Sequence, residues 1–301
     1  MKHFLSIAET SADRVKTMLA KARDLRGKRG VATGLPMADL TMALLFQKPS
    51  LRTRVSFEQA VIDLGGHPAV LGQHEVGLGN REPVGDVARV LGGMVDLIGA
   101  RVFRHEDLEA MADSSGVPVV NMLSDLAHPA QALADALTIV DEFGENPAGR
   151  SVAYVGDGNN VARSLAAICA KLGMTFRLAA PSGYGFDEAF VGRLAADGLK
   201  PFLTEDPAEA VRGVDVIYTD TFTSMGQEEE KEARKKIFAG YQVNDGLLVH
   251  AADHSIVLHC MPAYRGEEIT AEVFDGPKSR AIPQAHNRLH AQKGMLAELL
   301  C

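Results

Sequence analysis

Cysteine is scarce in this chain of 301 residues: Cys169, Cys260 and Cys301 stand far apart, with no CxxC pair. That spacing excludes a disulfide framework and a zinc site built from local thiolates, and a reducing cytoplasm is the expected setting. Long apolar runs are missing as well. None approaches the ~20 residues that span a bilayer, and Met1-Lys2-His3-Phe4-Leu5 lacks the apolar core of a leader, so no membrane partner is expected. Positive charge is in deficit, with 31 Lys and Arg against 39 Asp and Glu and a formal net charge of -8. A nucleic-acid or other polyanion partner is thereby disfavoured, and a local basic cluster becomes informative. Neither repeats of solenoid period nor low-complexity tracts are present.

What is there reads as two successive α/β halves. Short apolar runs at 42–46, 68–71, 97–102 and 117–121 alternate with stretches of helical period, and the pattern restarts at 151–155, 176–180, 214–218 and 255–258. Residues 130–143 form a strong helix between the halves, with Pro129 at its entrance and Gly144-Glu145-Asn146-Pro147 at its end. Residues 287–300 read as a last helix. The expected fold class is α/β: two doubly wound parallel-sheet domains joined by interdomain helices, with ligands at the carboxyl ends of the strands. The boundaries are 1–137, 138–285 and a C-terminal helix, 286–301, that packs back on the first domain.

Ser50-Leu51-Arg52-Thr53-Arg54 sits where the first strand hands over to a helix, after the break at Lys48-Pro49. Ser50 is placed to cap that helix. Free backbone N–H groups, hydroxyls and two guanidiniums would then form an anion grip; the plainer alternative is a capped surface helix with two solvated arginines. Gly156-Asp157-Gly158-Asn159-Asn160-Val161 begins like a dinucleotide fingerprint, but Val161 replaces its third glycine, and Pro181-Ser182-Gly183 follows the next strand where an acidic residue would hold a ribose. A nicotinamide cofactor is disfavoured. Asn159 and Asn160 instead offer amides to a carboxylate or ammonium, or serve as cap residues.

His128-Pro129-Ala130-Gln131 puts an imidazole and an amide one turn apart, the first able to donate to a developing oxyanion, the second to accept from an NH2 group. Arg101 ends a strand, where ligands lie; Arg104 and His105 read as surface residues. In Asp220-Thr221-Phe222-Thr223-Ser224-Met225-Gly226 the carboxylate can pair with an amine, while Ser224 and the next N–H groups can hold a carboxylate. Residues 227–236 read as a solvated helix face. For Cys260, within His259-Cys260-Met261-Pro262, three readings stand open: a small buried hydrophobe, an activated nucleophile, or a neighbour of a reacting amine. A metal site there would need partners that local spacing does not supply. Arg288 is a cation able to fold over a bound anion.

In order along the chain, Ser-x-Arg-Thr-Arg, His-Pro-x-Gln, Asp-x-x-x-Ser-Met-Gly and His-Cys-x-Pro resemble the aspartate/ornithine transcarbamylases, over residues 46–293 and including Asn287-Arg288-Leu289-His290. The resemblance implies a transferase of arginine metabolism that moves the carbamoyl group of carbamoyl phosphate to the δ-amine of L-ornithine, giving citrulline and phosphate, with no cofactor and no metal. It implies catalytic roles for Arg101, His128 and Cys260. Carbamoyl phosphate would be held by Ser50, Leu51, Arg52, Thr53, Arg54, Arg101, His128, Gln131, Cys260, Met261 and Arg288, and ornithine by Asn160, Asp220, Ser224 and Met225. A homotrimer, or a multiple of one, is implied too, with residues 75–82 the stretch that reaches a neighbouring subunit.

The chain departs from the family's common form at Leu51, where a Thr is usual, and at Ala130 and Met261, where Cys and Leu are frequent. These positions act mainly through their backbone. Other acceptors fit less well. Aspartate would need cations for a second carboxylate, putrescine has no carboxylate for the Ser-Met-Gly segment, and N-acylated ornithines lack the free α-ammonium that Asp220 suits. A catalytically silent relative would not need Arg52, Arg54, Arg101, His128, Gln131 and Cys260 together.

Overall fold

The computed structural model describes residues 3–28, 35–79, 81–223 and 230–301. By its internal contacts the chain divides into two units, one formed by residues 1–137 and 286–301, the other by residues 138–285.

The first unit is built on a parallel sheet of four strands, β1 (Thr41–Phe46), β2 (His67–Leu71), β3 (Leu97–Arg101) and β4 (Val119–Leu123), in the order β2-β1-β3-β4. Strands β1, β3 and β4 are buried almost throughout, which is why they read as continuous apolar runs without alternation. One face of the sheet closes over a core of Ala43, Leu45, Ile98, Leu108, Met111 and Val119. Strand β4 begins two residues later than its apolar run suggests. Pro118 has no N–H to give a ladder, and only its carbonyl is used, accepting from Ile98.

The second unit carries five parallel strands, β5 (Ser151–Val155), β6 (Thr175–Ala179), β7 (Phe202–Thr204), β8 (Val216–Thr219) and β9 (Ile256–His259), ordered β7-β6-β5-β8-β9. Its core gathers Val155, Ile217, Phe222, Phe238, Tyr241 and Val257. Edge strand β7 was invisible to apolar pattern because it is three residues long and Phe202 and Leu203 are both exposed.

Each sheet places its chemistry the same way. Gln47 to Ser50 follow β1, Arg101 ends β3, Ser124 to His128 follow β4, and in the second unit Gly156, Asp220 and Cys260 directly follow β5, β8 and β9. All of these are carboxyl ends of parallel strands, the edge where doubly wound sheets bind ligands.

The terminal helix runs Ala281–Leu299, six residues longer at its start than the expected helix. Pro283 falls in the first turn, whose N–H groups have no intrahelical acceptor, so the proline does not interrupt it. Gly294 is required there: a Cβ would lie 2.2 Å from the Met18 carbonyl oxygen and 2.5 Å from the Ala22 nitrogen of helix Ala12–Asp24. Beside it, the buried Lys293 Nζ donates to Asp63 Oδ2 at 3.1 Å and to the Lys28 carbonyl at 2.6 Å, fixing the terminal helix to helix Leu51–Asp63. Among the described residues no helix is long and apolar enough to cross a membrane.

Candidate active site

In the first unit the organising atom is the hydroxyl of Thr53, in a residue with no exposed surface. Ser50 caps helix Leu51–Asp63, its Oγ accepting from Thr53 N–H at 3.3 Å and donating to Thr53 Oγ1 at 3.0 Å. Arg101 Nη1 donates to the same oxygen at 3.4 Å and Arg288 Nη2 at 2.8 Å. One hydroxyl thus ties a helix N-terminus to two guanidiniums, of residues 5% and 3% exposed, that come from the end of β3 and from the terminal helix. A register shift in the β3–β4 pairing at Ala100/Arg101 marks the point where the Arg101 side chain leaves the regular ladder.

Buried positive charge is costly unless compensated, so such a cluster is complementary to an anion. His128 shows the field directly. Its ring is buried, and its pKa is held well below the ordinary value, first by loss of hydration and then by repulsion from Arg288, Arg101 and Lys48. The imidazole is therefore neutral at physiological pH, with one N–H to donate. Lys48 is lowered to about 8, by burial first and by Arg101 second, with Asp125 opposing; its Nζ lies 4.8 Å from the centre of the Phe103 ring. In the sequence alone Lys48 reads only as a strand breaker, since the Phe103 ring beside it is far along the chain.

Gln131 is 1% exposed and donates from Nε2 to Asp135 Oδ1 at 2.8 Å, which leaves Oε1 a buried acceptor with no hydrogen-bond partner among the described residues. Arg54 is more exposed than the guanidiniums of Arg101 and Arg288 and pairs with Glu58 at 3.1 Å. Leu51 is 75% exposed. With Phe46, Pro49 and Ser50, these two residues line a cavity of about 700 Å³ that also contains His74 and Glu75. His105 does not behave as a surface residue: it is 7% exposed, and Nδ1 lies 2.7 Å from Ser124 Oγ in the turn after β4. Arg104 is exposed.

The second unit gathers opposite chemistry. Asp220, 9% exposed, accepts from its neighbour Thr221 N–H at 2.7 Å and from Asn159 Nδ2 at 3.4 Å. Asn159 caps helix Asn160–Leu172 through Oδ1, which accepts from Val161 and Ala162 N–H, and Asn160 opens that helix. The second glycine of Gly156-Asp157-Gly158 is a packing requirement, because a Cβ at Gly158 would meet the Tyr184 carbonyl oxygen at 2.8 Å. Tyr154 and Tyr218 stack beneath, 5.4 Å between ring centres. Burial, and the negative charges of Asp220, Cys260 and Asp157, hold the Tyr154 phenol well above its usual range, so it stays protonated.

Donor atoms of Asp220, His259 and Cys260 all lie within 4.8 Å of one another. Local spacing gave no such partner; the β8–β9 pairing supplies it. His259 is already committed, however. Its Nδ1 accepts from Met261 N–H at 2.9 Å, which puts the ring proton on Nε2, 3.0 Å from Glu268 Oε1. Neither nitrogen is left to act as base toward Cys260, which is 8% exposed. Glu268 also accepts from Tyr264 N–H, so the pair braces the turn that carries Cys260 and the left-handed Met261.

In the run 227–236, of which residues 230–236 are described, not every side chain is solvated. Arg234 is 4% exposed, and its guanidinium pairs with Asp157. Ser224 and Met225 lie outside the described residues, as does Asn80 in the stretch 75–82.

Two domain models of known proteins match the chain in succession. Residues 2–141 match the model of the aspartate/ornithine carbamoyltransferase carbamoyl-P binding domain, and residues 148–299 that of its Asp/Orn binding domain. The chain belongs to the aspartate/ornithine carbamoyltransferase family. It is 48% identical over 289 residues to the ornithine carbamoyltransferase of Thermus thermophilus, covering 96% of this chain and 90% of the relative. To that of Archaeoglobus fulgidus it is 47% identical over 302 residues, covering 100% and 98%. Among solved structures, ornithine carbamoyltransferase from Pyrococcus furiosus superposes with a TM-score of 0.92 at 44% identity, covering 98% of this chain and 96% of that one.

Proposed function

We propose that this protein transfers the carbamoyl group of carbamoyl phosphate to the δ-amine of L-ornithine, releasing L-citrulline and phosphate. The reading rests on the arrangement around Thr53, where a helix N-terminus, Arg101 and Arg288 converge on one hydroxyl beside a neutral His128. Phosphate carries the charge that this arrangement lacks. Ser50, Arg52, Thr53 and Arg54, with the N–H groups that open helix Leu51–Asp63, take the phosphoryl oxygens; Leu51 contributes its backbone N–H. Arg101, Arg288 and the His128 N–H face the carbonyl oxygen, and Gln131 Oε1 accepts from the carbamoyl NH2.

Ornithine reacts as the neutral amine. An alkyl ammonium ionises near pH ~10, so the amine must first lose a proton. Its nitrogen attacks the carbonyl carbon and forms a C–N bond. Negative charge collects on the carbonyl oxygen, where preorganised donors are worth most. The C–O bond to phosphate then breaks, and the leaving phosphate takes the proton released by the amine. Asp220 and Asn160 orient the α-amino end, and Ser224 and Met225 complete the ornithine site. Cys260 and Met261 serve the carbamoyl group, an assignment supported by the order of motifs in the family.

The setting proposed is arginine biosynthesis in the cytoplasm, by a homotrimer or a multiple of trimers in which residues 75–82 approach a neighbouring subunit's site. One assay tests the reading: product formation from carbamoyl phosphate with ornithine, N-acetylornithine, putrescine and aspartate in parallel. Ornithine is expected to be the best acceptor by at least about a hundredfold, because a buried carboxylate left without its ammonium is strongly penalised. Equal or better use of another acceptor contradicts it.

A further inference from the structure

Arg234 is the most deeply buried cation in the second unit that the proposed chemistry leaves without a task. Its Nε donates to the Phe222 carbonyl at 2.5 Å, Nη2 pairs with Asp157, and Nη1 lies 3.8 Å from Glu230. The guanidinium sits 5.0 Å from the Tyr184 ring centre and 5.3 Å from that of Phe238. Phe238 in turn stacks on Phe222 at 4.9 Å and meets Tyr184 edge-on at 5.0 Å. An aromatic enclosure of this kind holds a weakly hydrated, planar cation well, and would hold a lysine ammonium poorly.

Two of these contacts bear on Asp220. The Phe222 carbonyl lies two residues beyond it, so the Nε bond fixes the backbone that follows the β8 strand. The second contact is to Asp157, whose carboxyl the Asp220 charge reaches. Burial and Asp220 both push the Asp157 carboxyl up, and Arg234 pulls it back down. Without the guanidinium, the part-buried Asp157 carboxylate would keep the repulsion of Asp220 and lose its ion pair.

We propose that Arg234 is a positioning residue for the acceptor: by clamping the Phe222 carbonyl and neutralising Asp157, it reserves the Asp220 carboxylate for the α-ammonium of the amino-acid substrate. This rests on the carbamoyl-transfer reading above. It assigns Arg234 no contact with substrate. What it sets is the selectivity of the site for an acceptor bearing an α-ammonium.

The test uses steady-state kinetics of the full chain, with 5-aminovalerate as a competing ligand. That molecule keeps the δ-amine and the carboxylate of ornithine and lacks the α-ammonium. Arg234→Met is expected to raise the KM for ornithine about tenfold or more, the usual consequence of losing a charge-assisted positioning contact, while the KM for carbamoyl phosphate and the inhibition constant of 5-aminovalerate move less than about threefold. Arg234→Lys should recover little. Asp157→Asn should change the ornithine KM far less than Arg234→Met, because it removes the unwanted charge together with the need to offset it; if Arg234→Met does not fold, the double variant Arg234→Met/Asp157→Asn replaces it, with a smaller rise in ornithine KM expected, about threefold or more, from the lost Phe222 contact alone. Equal weakening of ornithine and 5-aminovalerate, or an unchanged ornithine KM in a folded variant, overturns the assignment of Arg234 alone. Failure of the unmodified protein to carbamoylate ornithine at all would instead overturn the reading of the function, and this inference with it.

Discussion

The two units solve opposite electrostatic problems with the same architecture. In the first, Lys48 follows β1, Arg101 ends β3 and Arg288 of the terminal helix joins Arg101 on one hydroxyl, and the consequence is a depressed imidazole and a lysine lowered to about 8. In the second, Asp157, Asp220 and Cys260 accumulate at the ends of β5, β8 and β9, and the consequence is a raised phenol and a raised carboxyl. There a buried cation, Arg234, pairs with Asp157. The contrast teaches how ligand charge is divided: the first unit sets two buried guanidiniums about one hydroxyl, which suits an anion, and the second sets the buried Asp220 carboxylate at a strand end, which suits a cation.

That comparison can be broken by experiment, beginning with the largest effect. Arg101→Ala removes a buried donor aimed at the developing oxyanion, and kcat/KM should fall by about 10²–10³ or more, as for other oxyanion donors. A loss of less than about tenfold would remove Arg101 from the chemistry. Asp220→Asn keeps the size of the side chain and removes its charge. The ornithine KM should rise by about ten- to a hundredfold, in line with the loss of a charge-assisted hydrogen bond, with carbamoyl phosphate KM little changed. If instead carbamoyl phosphate binding collapses, the division of labour is wrong.

The smallest effect concerns pH. Lys48 in the free protein ionises near pH 8. Inorganic phosphate, as a probe of the first unit, should therefore bind more weakly as pH rises from 7 to 9, with Lys48→Met flattening that dependence. The sign for stability is fixed by the same shift. Because the folded-state pKa lies below the unfolded value, the unfolded chain holds the extra proton between about pH 8 and the usual lysine range near ~10.4, and stability rises with pH across that window. Lys48→Met should abolish the slope in thermal unfolding. A slope unchanged in the variant would assign it to other groups.

Much of this was legible in the sequence because the relevant signals are local. Ser50 as a cap, the apolar strands β1, β3, β5 and β8, the helix after Pro129, and Arg101 at a strand end all follow from neighbours within a few residues. The unread parts are those whose meaning comes from distant partners. Lys48 is a strand breaker until the Phe103 ring meets it. Arg234 belongs to a charged run until the Tyr184 and Phe238 rings and the Phe222 carbonyl meet it, and His105 is one more polar loop residue until Ser124 meets its ring. Local spacing also could not show that pairing of β8 with β9 sets Asp220 beside Cys260.

The central claim, that each unit holds a different substrate by a different charge, is tested most directly by calorimetric titration of inorganic phosphate into the unmodified protein, Thr53→Val and Asp220→Asn. The account predicts binding weakened about tenfold or more in Thr53→Val, which loses the hydroxyl that ties Ser50, Arg101 and Arg288 together, and undiminished binding in Asp220→Asn. Phosphate affinity lost in Asp220→Asn and retained in Thr53→Val would contradict it.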